Sequence, residues 1–436
     1  MFAVLSSAAA TSCALQVDHA DCGRLLELLA LVPDPRKRRG IRHSVVAVLA
    51  VAAAAVLAGA KSVLAVGEWA AEAPQVVLGA LGSRRHPIDG RFSAPHGDTF
   101  RRVLRAVDAD AVDTVIGAFL AERVGVGVAP APDAAGHSTE DSNAEDSKPG
   151  PGHDPGRPSD EPRDEPRDEP RDEPIVGALS VDGKAVRGAR RDDGRAVHLL
   201  AAAIHGVPAV LAQRDVAHKT NEITQVKPLL DPLNLTGWAV TLDALHCQRE
   251  TARYLVQDKN AAYVFTAAKD NQPTLVAALD ALPWATVPIT HTMLDRGHGR
   301  DERRTIQVMP APEGIFPYAE QVFLVERYVH DLHGTLKSAV AALGLTCLTA
   351  AQASPERLAA LVRGHWGIEA LHWIRDVTFD EDRSQLRKGS APQVLAGLRN
   401  LAVGALHAAG RTKIASSLRW VSRDPARALN ILGQPA

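Results

Sequence analysis

Three carboxylates stand in contexts unlike those of ordinary surface acids. Asp182 ends the apolar run Ala178-Leu-Ser-Val181, and Asp243 ends the run Trp238-Ala-Val-Thr-Leu242. Glu369 lies in the late stretch His365-Trp-Gly-Ile-Glu-Ala-Leu-His-Trp373. Alone, an Asp before Gly183 reads as the start of a tight turn. A set of such acids can also hold hard cations, because Mg²⁺ prefers oxygen ligands and keeps several waters. Two ions about 4 Å apart can activate a water and stabilise the leaving oxygen of an in-line phosphodiester displacement. No short-range spacing is required for that, so context carries the reading. Gly183 leaves room beside Asp182 for a hydrated ion and a phosphate. His365, Glu369 and His372 fall at i, i+4 and i+7, the spacing of a zinc site on one helix face; a packed helix with polar edges is the simpler explanation of the three. His246 reads as a local hydrogen-bonding residue, and Trp366 and Trp373 read as core. The glycines of Val124-Gly-Val-Gly-Val128 follow a helix and do not open one, which excludes a dinucleotide loop.

The elements that must position these acids follow from hydrophobic periodicity. From Ile175 the pattern is α/β: strands at 178–181, 196–204 and 209–212, then a helix toward Leu230 capped by Thr220 or Asn221. The run 237–246 repeats the strand-then-acid device. Helix 248–258, strand 262–267 and helix 273–282 follow, and Asp270 precedes Asn271-Gln272. This order predicts a mixed central sheet covered by helices. Residues 285–345 read as a β-rich insertion with a hairpin whose tip is Asp295-Arg-Gly-His-Gly-Arg-Asp-Glu302. A single helix is expected from Ser354 through Arg375, with two more near 391–409 and 411–421.

Upstream, residues 1–22 read as a leader, and 23–128 as a small all-helical domain with basic edges. Its helices are expected over 23–31, 45–60 and 63–81, and from Phe100 with Asp98 or Thr99 as cap. The uncharged run 45–60 is shorter than the roughly 20 residues needed to span a bilayer, so it reads as a buried core helix. Residues 129–174 hold ten prolines, no Leu, Ile, Val, Phe, Tyr or Trp, and the repeated tetrad Arg-Asp-Glu-Pro. Such a segment cannot bury enough apolar surface to order itself and reads as a disordered acidic linker. It carries fourteen acidic and five basic side chains, so the remainder holds a formal +7 where the whole chain is −2. That balance permits nucleic-acid binding. Cysteines 13, 22, 247 and 347 show no close pairing, which predicts a reducing, cytoplasmic setting. Residues 423–436 read as a tail.

Ser180-Val-Asp-Gly-Lys-Ala-Val-Arg-Gly188, Thr241-Leu-Asp-Ala-Leu-His-Cys-Gln248, and His365–Trp373 with Asp376-Val-Thr-Phe-Asp-Glu-Asp382 resemble the three signatures of DDE-type insertion-sequence transposases. They are most similar to the branch containing the H-repeat-associated proteins. Lys37-Arg-Arg-Gly-Ile-Arg-His43 and His96-Gly-Asp-Thr-Phe100 resemble that branch's N-terminal associated domain. The resemblance implies a ribonuclease H-like α+β catalytic core over 175–422. It implies Asp182, Asp243 and Glu369 as the catalytic, metal-binding triad, holding two Mg²⁺ with Mn²⁺ as an alternative ion. It further implies cutting of element ends and strand transfer to double-stranded target DNA by a homodimer or larger synaptic assembly. The wider family has Arg and Lys four before and seven after the last acid, where this chain has His365 and Asp376. Ala370 stands where the branch commonly has Asn. DNA backbone contacts therefore fall to other basic residues: Arg38, Arg39, Arg42, Lys184, Arg187, Arg363, Arg383 and Arg387. Two alternatives remain at this point, a catalytically silent DNA-binding derivative and a metal-dependent nuclease without strand transfer.

Overall fold

The computed structural model describes residues 23–39, 41–127, 174–216, 221–267, 271–297 and 299–433. The expected leader, nearly all of the acidic segment, Thr220, Asp270 and His298 lie outside them. The chain forms two compact units, Met1–Gly125 with Thr378–Ala436, and Val126–Val377.

The first unit is helical. Its N-terminal part contains α1 (Gly23–Leu29), α2 (Val45–Leu57), α3 (Val63–Glu72), α4 (Gln75–Ala80), β1 (Arg84–Arg85), β2 (Phe92–Ser93), α5 (Gly97–Ala106) and α6 (Ala109–Arg123). The single helix expected over 63–81 is two, because Pro74 caps α4 after the extended Ala73. The α5 cap is His96, whose ring accepts from the Asp98 amide at 3.2 Å. The β1–β2 pair adds a short antiparallel ribbon to a domain expected to be all-helical. Nearly every residue of α2 is buried, and among the described residues no helix is long and apolar enough to cross a membrane.

The second unit is built on one nine-stranded sheet. In chain order it comprises β3 (Gly177–Arg190), β4 (Ala196–Ile204), β5 (Val210–Asp215), α7 (Glu222–Leu230), β6 (Trp238–Leu242), α8 (Arg249–Arg253), β7 (Ala262–Thr266), α9 (Pro273–Asp280), β8 (His291–Gly297), β9 (Arg300–Pro310), β10 (Gln321–Asp331), β11 (Leu336–Thr346), α10 (Pro355–His365) and α11 (Gly367–Val377). Strand order is β5-β4-β3-β6-β7-β11-β10-β9-β8. The first three strands are antiparallel, while β3, β6 and β7 are mutually parallel neighbours. This is the mixed, helix-flanked ribonuclease H-like sheet. The β-rich insertion adds no separate layer. Its strand β11 pairs antiparallel with β7, so β8–β11 extend the same sheet.

The helix α10 covers one sheet face. Leu358, Leu361 and Val362 pack there against Ala178, Ala239, Val264, Phe323 and Val325. Each such buried aliphatic side chain contributes about 1.5–3 kcal/mol. Small residues at Ala178 and Ala239 let the helix sit close to β3 and β6, the two strands that carry the aspartates.

The expected catalytic segment 175–422 is shared between the units. After Thr378 come α12 (Ala391–Ala408), α13 (Ile414–Ser422) and α14 (Ala426–Gly433). The helix α12 is buried on almost every face and packs on α6, α2 and α5, so its apolar surface belongs with the N-terminal helices. The buried Arg399 meets Glu381 at 2.8 Å and donates to the Lys61 carbonyl at 3.2 Å. The tail expected from 423 is largely helix: Leu429, Ile431 and Leu432 of α14 are buried.

Candidate active site

Strand β3 pairs in parallel with β6 from Gly177↔Trp238 to Val181↔Leu242. The next residue on each strand is an aspartate. Side chains alternate between faces, so Asp182 and Asp243 share the face of Ser180 and Thr241, under α10. Asp182 does not end its strand. It lies opposite Ala201 of β4, and only the pairing with β6 stops at Val181. There β6 turns away through a 3₁₀ turn that Asp243 caps, its Oδ1 accepting from the Leu245 and His246 amides at 3.1 and 3.3 Å. The side chains of Asp182 and Asp243 are 23% and 43% exposed, so both can be reached from solvent.

A polar cluster binds this face to the helices. Thr241 Oγ1 donates to the Leu179 carbonyl at 3.1 Å and lies 3.0 Å from His205 Nε2 and 3.1 Å from His365 Nδ1. Ser180 Oγ donates to the Gly364 carbonyl at 3.4 Å. A Cβ at position 364 would collide with the His205 ring, which explains a glycine inside α10. Burial pushes His205 down to about 4. It also pushes His365 down, although the charges of Asp182 and Asp243 oppose this. The His205 ring is therefore neutral near pH 7.

The single helix expected from 354 to 375 breaks at Trp366. His365 closes α10, while Glu369 and His372 lie on α11, so the three do not share a continuous helix face. His365 faces Thr241; His372 Nδ1 lies 3.4 Å from Asp182 Oδ2. Among the described residues no three His, Cys, Asp or Glu side chains converge tightly enough to enclose a metal ion. The same holds for Asp182, Asp243 and Glu369; what the zinc reading loses is the single helix face it needs.

The electrostatics instead mark a carboxylate group. Burial opposes ionisation of Asp182, but contact with His372 and the field of the two histidines outweigh it and hold its carboxyl low. Glu369 is raised, first by partial covering of its carboxyl and then by the negative charge of Asp182. Oxygen donors that repel one another beside an open face suit Mg²⁺, which is commonly held by one or two carboxylates plus substrate phosphates. Asp182 and Asp243 can form that pair, with Glu369 approaching from α11.

Of the other expected residues, Lys184 is engaged within the protein. It is 7% exposed, and its Nζ lies 2.6 Å from Asp376 Oδ1. It points to the same face as Asp182 and ties β3 to the helix that carries Glu369. Arg187 is exposed on β3. Arg363 is half-exposed and meets Asp295 at 2.5 Å. Arg38, Arg39, Arg42, Arg383 and Arg387 are exposed and belong to the first unit. Trp373 is 62% exposed and not core. The guanidinium groups of Arg304 and Arg327 lie over the Trp366 ring, 4.7 and 5.6 Å from its centre. With Thr241, His365 and Arg327 it lines a cavity of about 100 Å³ beside the aspartates.

Gly183 also has a different use from the one expected. Its missing side chain faces away from the Asp182 face, and a Cβ there would collide with Glu222 and His198. Glu222 carries no sequence signal, since an acid in the first turn of a helix is ordinary.

Comparison with known proteins follows the two parts of the chain. Residues 26–120 match the family model described as DDE_Tnp_1-associated, and 177–403 match the one described as Transposase DDE domain. Over 241 residues the chain is 28% identical to "Putative protein YbfL" and 27% identical to "H repeat-associated putative transposase YhhI", both of Escherichia coli K12. Each alignment covers 52% of this chain and 63% of the relative. "Putative transposase YncI" of Escherichia coli O157:H7 is 30% identical over 241 residues, 52% of this chain and 61% of that one. The chain thus spans less than two thirds of these relatives. A cryo-EM structure of the piggyBac transposase synaptic complex with hairpin DNA aligns at a TM-score of 0.40 with 12% identity, over 95% of this chain and 80% of that one.

Proposed function

The chain belongs to the family of transposases with a DDE domain, and we propose that it binds the ends of a mobile DNA element, cuts them with divalent metal, and joins the freed 3′ hydroxyls to target DNA. The supporting observation is the placement of Asp182 and Asp243 one step beyond the last parallel pair, Val181↔Leu242, on one face, with Glu369 within the electric field of Asp182.

In this reading Asp182, Asp243 and Glu369 would together hold the divalent ions, Mg²⁺ or Mn²⁺. Bound there, such ions would supply an activated water and stabilise the departing oxygen. Asp243 keeps its orientation through the two amides that bond Oδ1. His372 steadies Asp182. Exposed arginines at 38, 39, 42 and 187, with 383 and 387, supply the sequence-independent affinity that phosphate contacts give. Two ends must be cut and joined together, which calls for a dimer or larger assembly of this chain.

The test is cleavage and joining of DNA that flanks the gene, with Mg²⁺ and then with chelator. Metal-dependent nicks at the element ends and joined products support the proposal. Nicking without joining makes the protein a nuclease, and binding without either makes it a silent derivative.

A further inference from the structure

One buried cluster lies outside the carboxylate face. Glu222 opens α7, next to its cap Asn221, and is directed into the protein with 21% of its side chain exposed. Its Oε1 lies 2.6 Å from Nε2 of His198 on β4. Its Oε2 lies 3.5 Å from Nε2 of His246. The same oxygen occupies the space where a side chain at Gly183 would stand.

These contacts touch both segments that bear the aspartates. Gly183 follows Asp182. His246 closes the 3₁₀ turn that Asp243 caps, and its Nε2 is 4.0 Å from Asp243 Oδ1. The His246 ring is fully buried, and neither nitrogen has a hydrogen-bond partner among the described residues. It is lodged between two carboxylates, Glu222 and Asp243.

A helix-start acid serving only the macrodipole would remain in solvent. A staple of α7 to the sheet would need only His198. Contact with His246 and the vacancy at Gly183 add nothing to either role. A glycine within a strand weakens it, and here its missing side chain is the space that admits the carboxylate.

We propose that Glu222 is a positioning residue: from the reverse face of the sheet it sets the spacing of Asp182 and Asp243 on which metal binding depends. This rests on the metal-site reading above. Partners behind metal ligands commonly change metal affinity about 10–100-fold when removed.

The experiment measures direct Mn²⁺ binding by electron paramagnetic resonance on the full chain. Wild type, Asp182→Asn, Glu222→Gln and His246→Gln are compared, with thermal unfolding of each. Asp182→Asn is expected to abolish tight Mn²⁺ binding. Glu222→Gln is expected to weaken it about 10-fold or more while the protein stays folded, and the Mg²⁺ needed for half-maximal cleavage should rise in parallel. If Glu222→Gln does not fold, His246→Gln carries the same expectation. Wild-type Mn²⁺ affinity in the folded variants overturns the proposal, even if stability falls. Wild-type affinity in Asp182→Asn overturns the metal-site reading, and the proposal with it.

Discussion

Replacing Lys184 with methionine separates two roles for this residue. The ammonium is buried and lies 2.6 Å from Asp376, whose side chain is 31% exposed. Removing one partner of a fully buried pair costs about 3–5 kcal/mol, because the other charge is left uncompensated. Asp376 keeps some water, so the cost here is about 2 kcal/mol, between that range and the 0–1 kcal/mol of a surface pair. For a unit of this size each kcal/mol moves the melting midpoint about 2–4 °C, giving a shift of about 4–8 °C. The helix held by this pair carries Glu369, so cleavage should fall as well. The double variant Lys184→Met, Asp376→Leu should recover most of the stability, since well-packed apolar pairs replace buried ion pairs without loss. The assay is urea unfolding beside DNA-end binding at several salt concentrations. Unchanged stability, with a salt slope reduced by about 0.9, would make Lys184 a phosphate contact and refute this reasoning.

Other perturbations have equally definite outcomes. Gly183→Ala places a methyl against Glu222 and His198; overpacking of this kind costs about 1–3 kcal/mol and should appear in the same urea titration. Burial raises the Glu222 carboxyl, but His198 and His246 outweigh it and bring it from 4.5 to about 2. A depressed carboxyl contributes its full stability above its unfolded value and loses it as pH falls through its folded value. Wild type should therefore lose stability from about pH 4.5 toward pH 2 more steeply than Glu222→Gln, read as urea midpoints at pH 5 and pH 3. Replacing Arg38, Arg39 and Arg42 together with alanine should weaken binding to any DNA sequence and lower the salt slope by up to about 2.7, measured by gel shift, with unfolding unchanged.

Much of this site is legible in the sequence, because an apolar run that meets an acid is a local pattern. The two strands and the mixed sheet follow from such runs, whereas Glu369 is singled out by the resemblance of its surrounding segment. What is not legible depends on partners distant in the chain. Asp182 reads as a strand end because the apolar run stops there, yet β3 continues to Arg190 on pairing with β4 alone. Whether a lysine two residues past an acid meets solvent or a buried carboxylate is decided by α11, nearly two hundred residues later. Glu222 is invisible for the same reason: its partners belong to β4 and to the turn after β6. The break at Trp366 falls between Gly364 and Gly367, weak points for a helix that the apolar periodicity running through them conceals. The affiliation of the final helices follows from burial of α12 on nearly every side, which periodicity records as apolar but cannot assign to a neighbour.

The most direct test of the central claim is Asp182→Asn, nearly isosteric with the native side chain, assayed on labelled DNA carrying the flanking element ends. The account predicts that Mg²⁺-dependent cleavage and joining disappear while end binding stays close to wild type. Cleavage by Asp182→Asn at the wild-type rate would contradict the assignment of the active site.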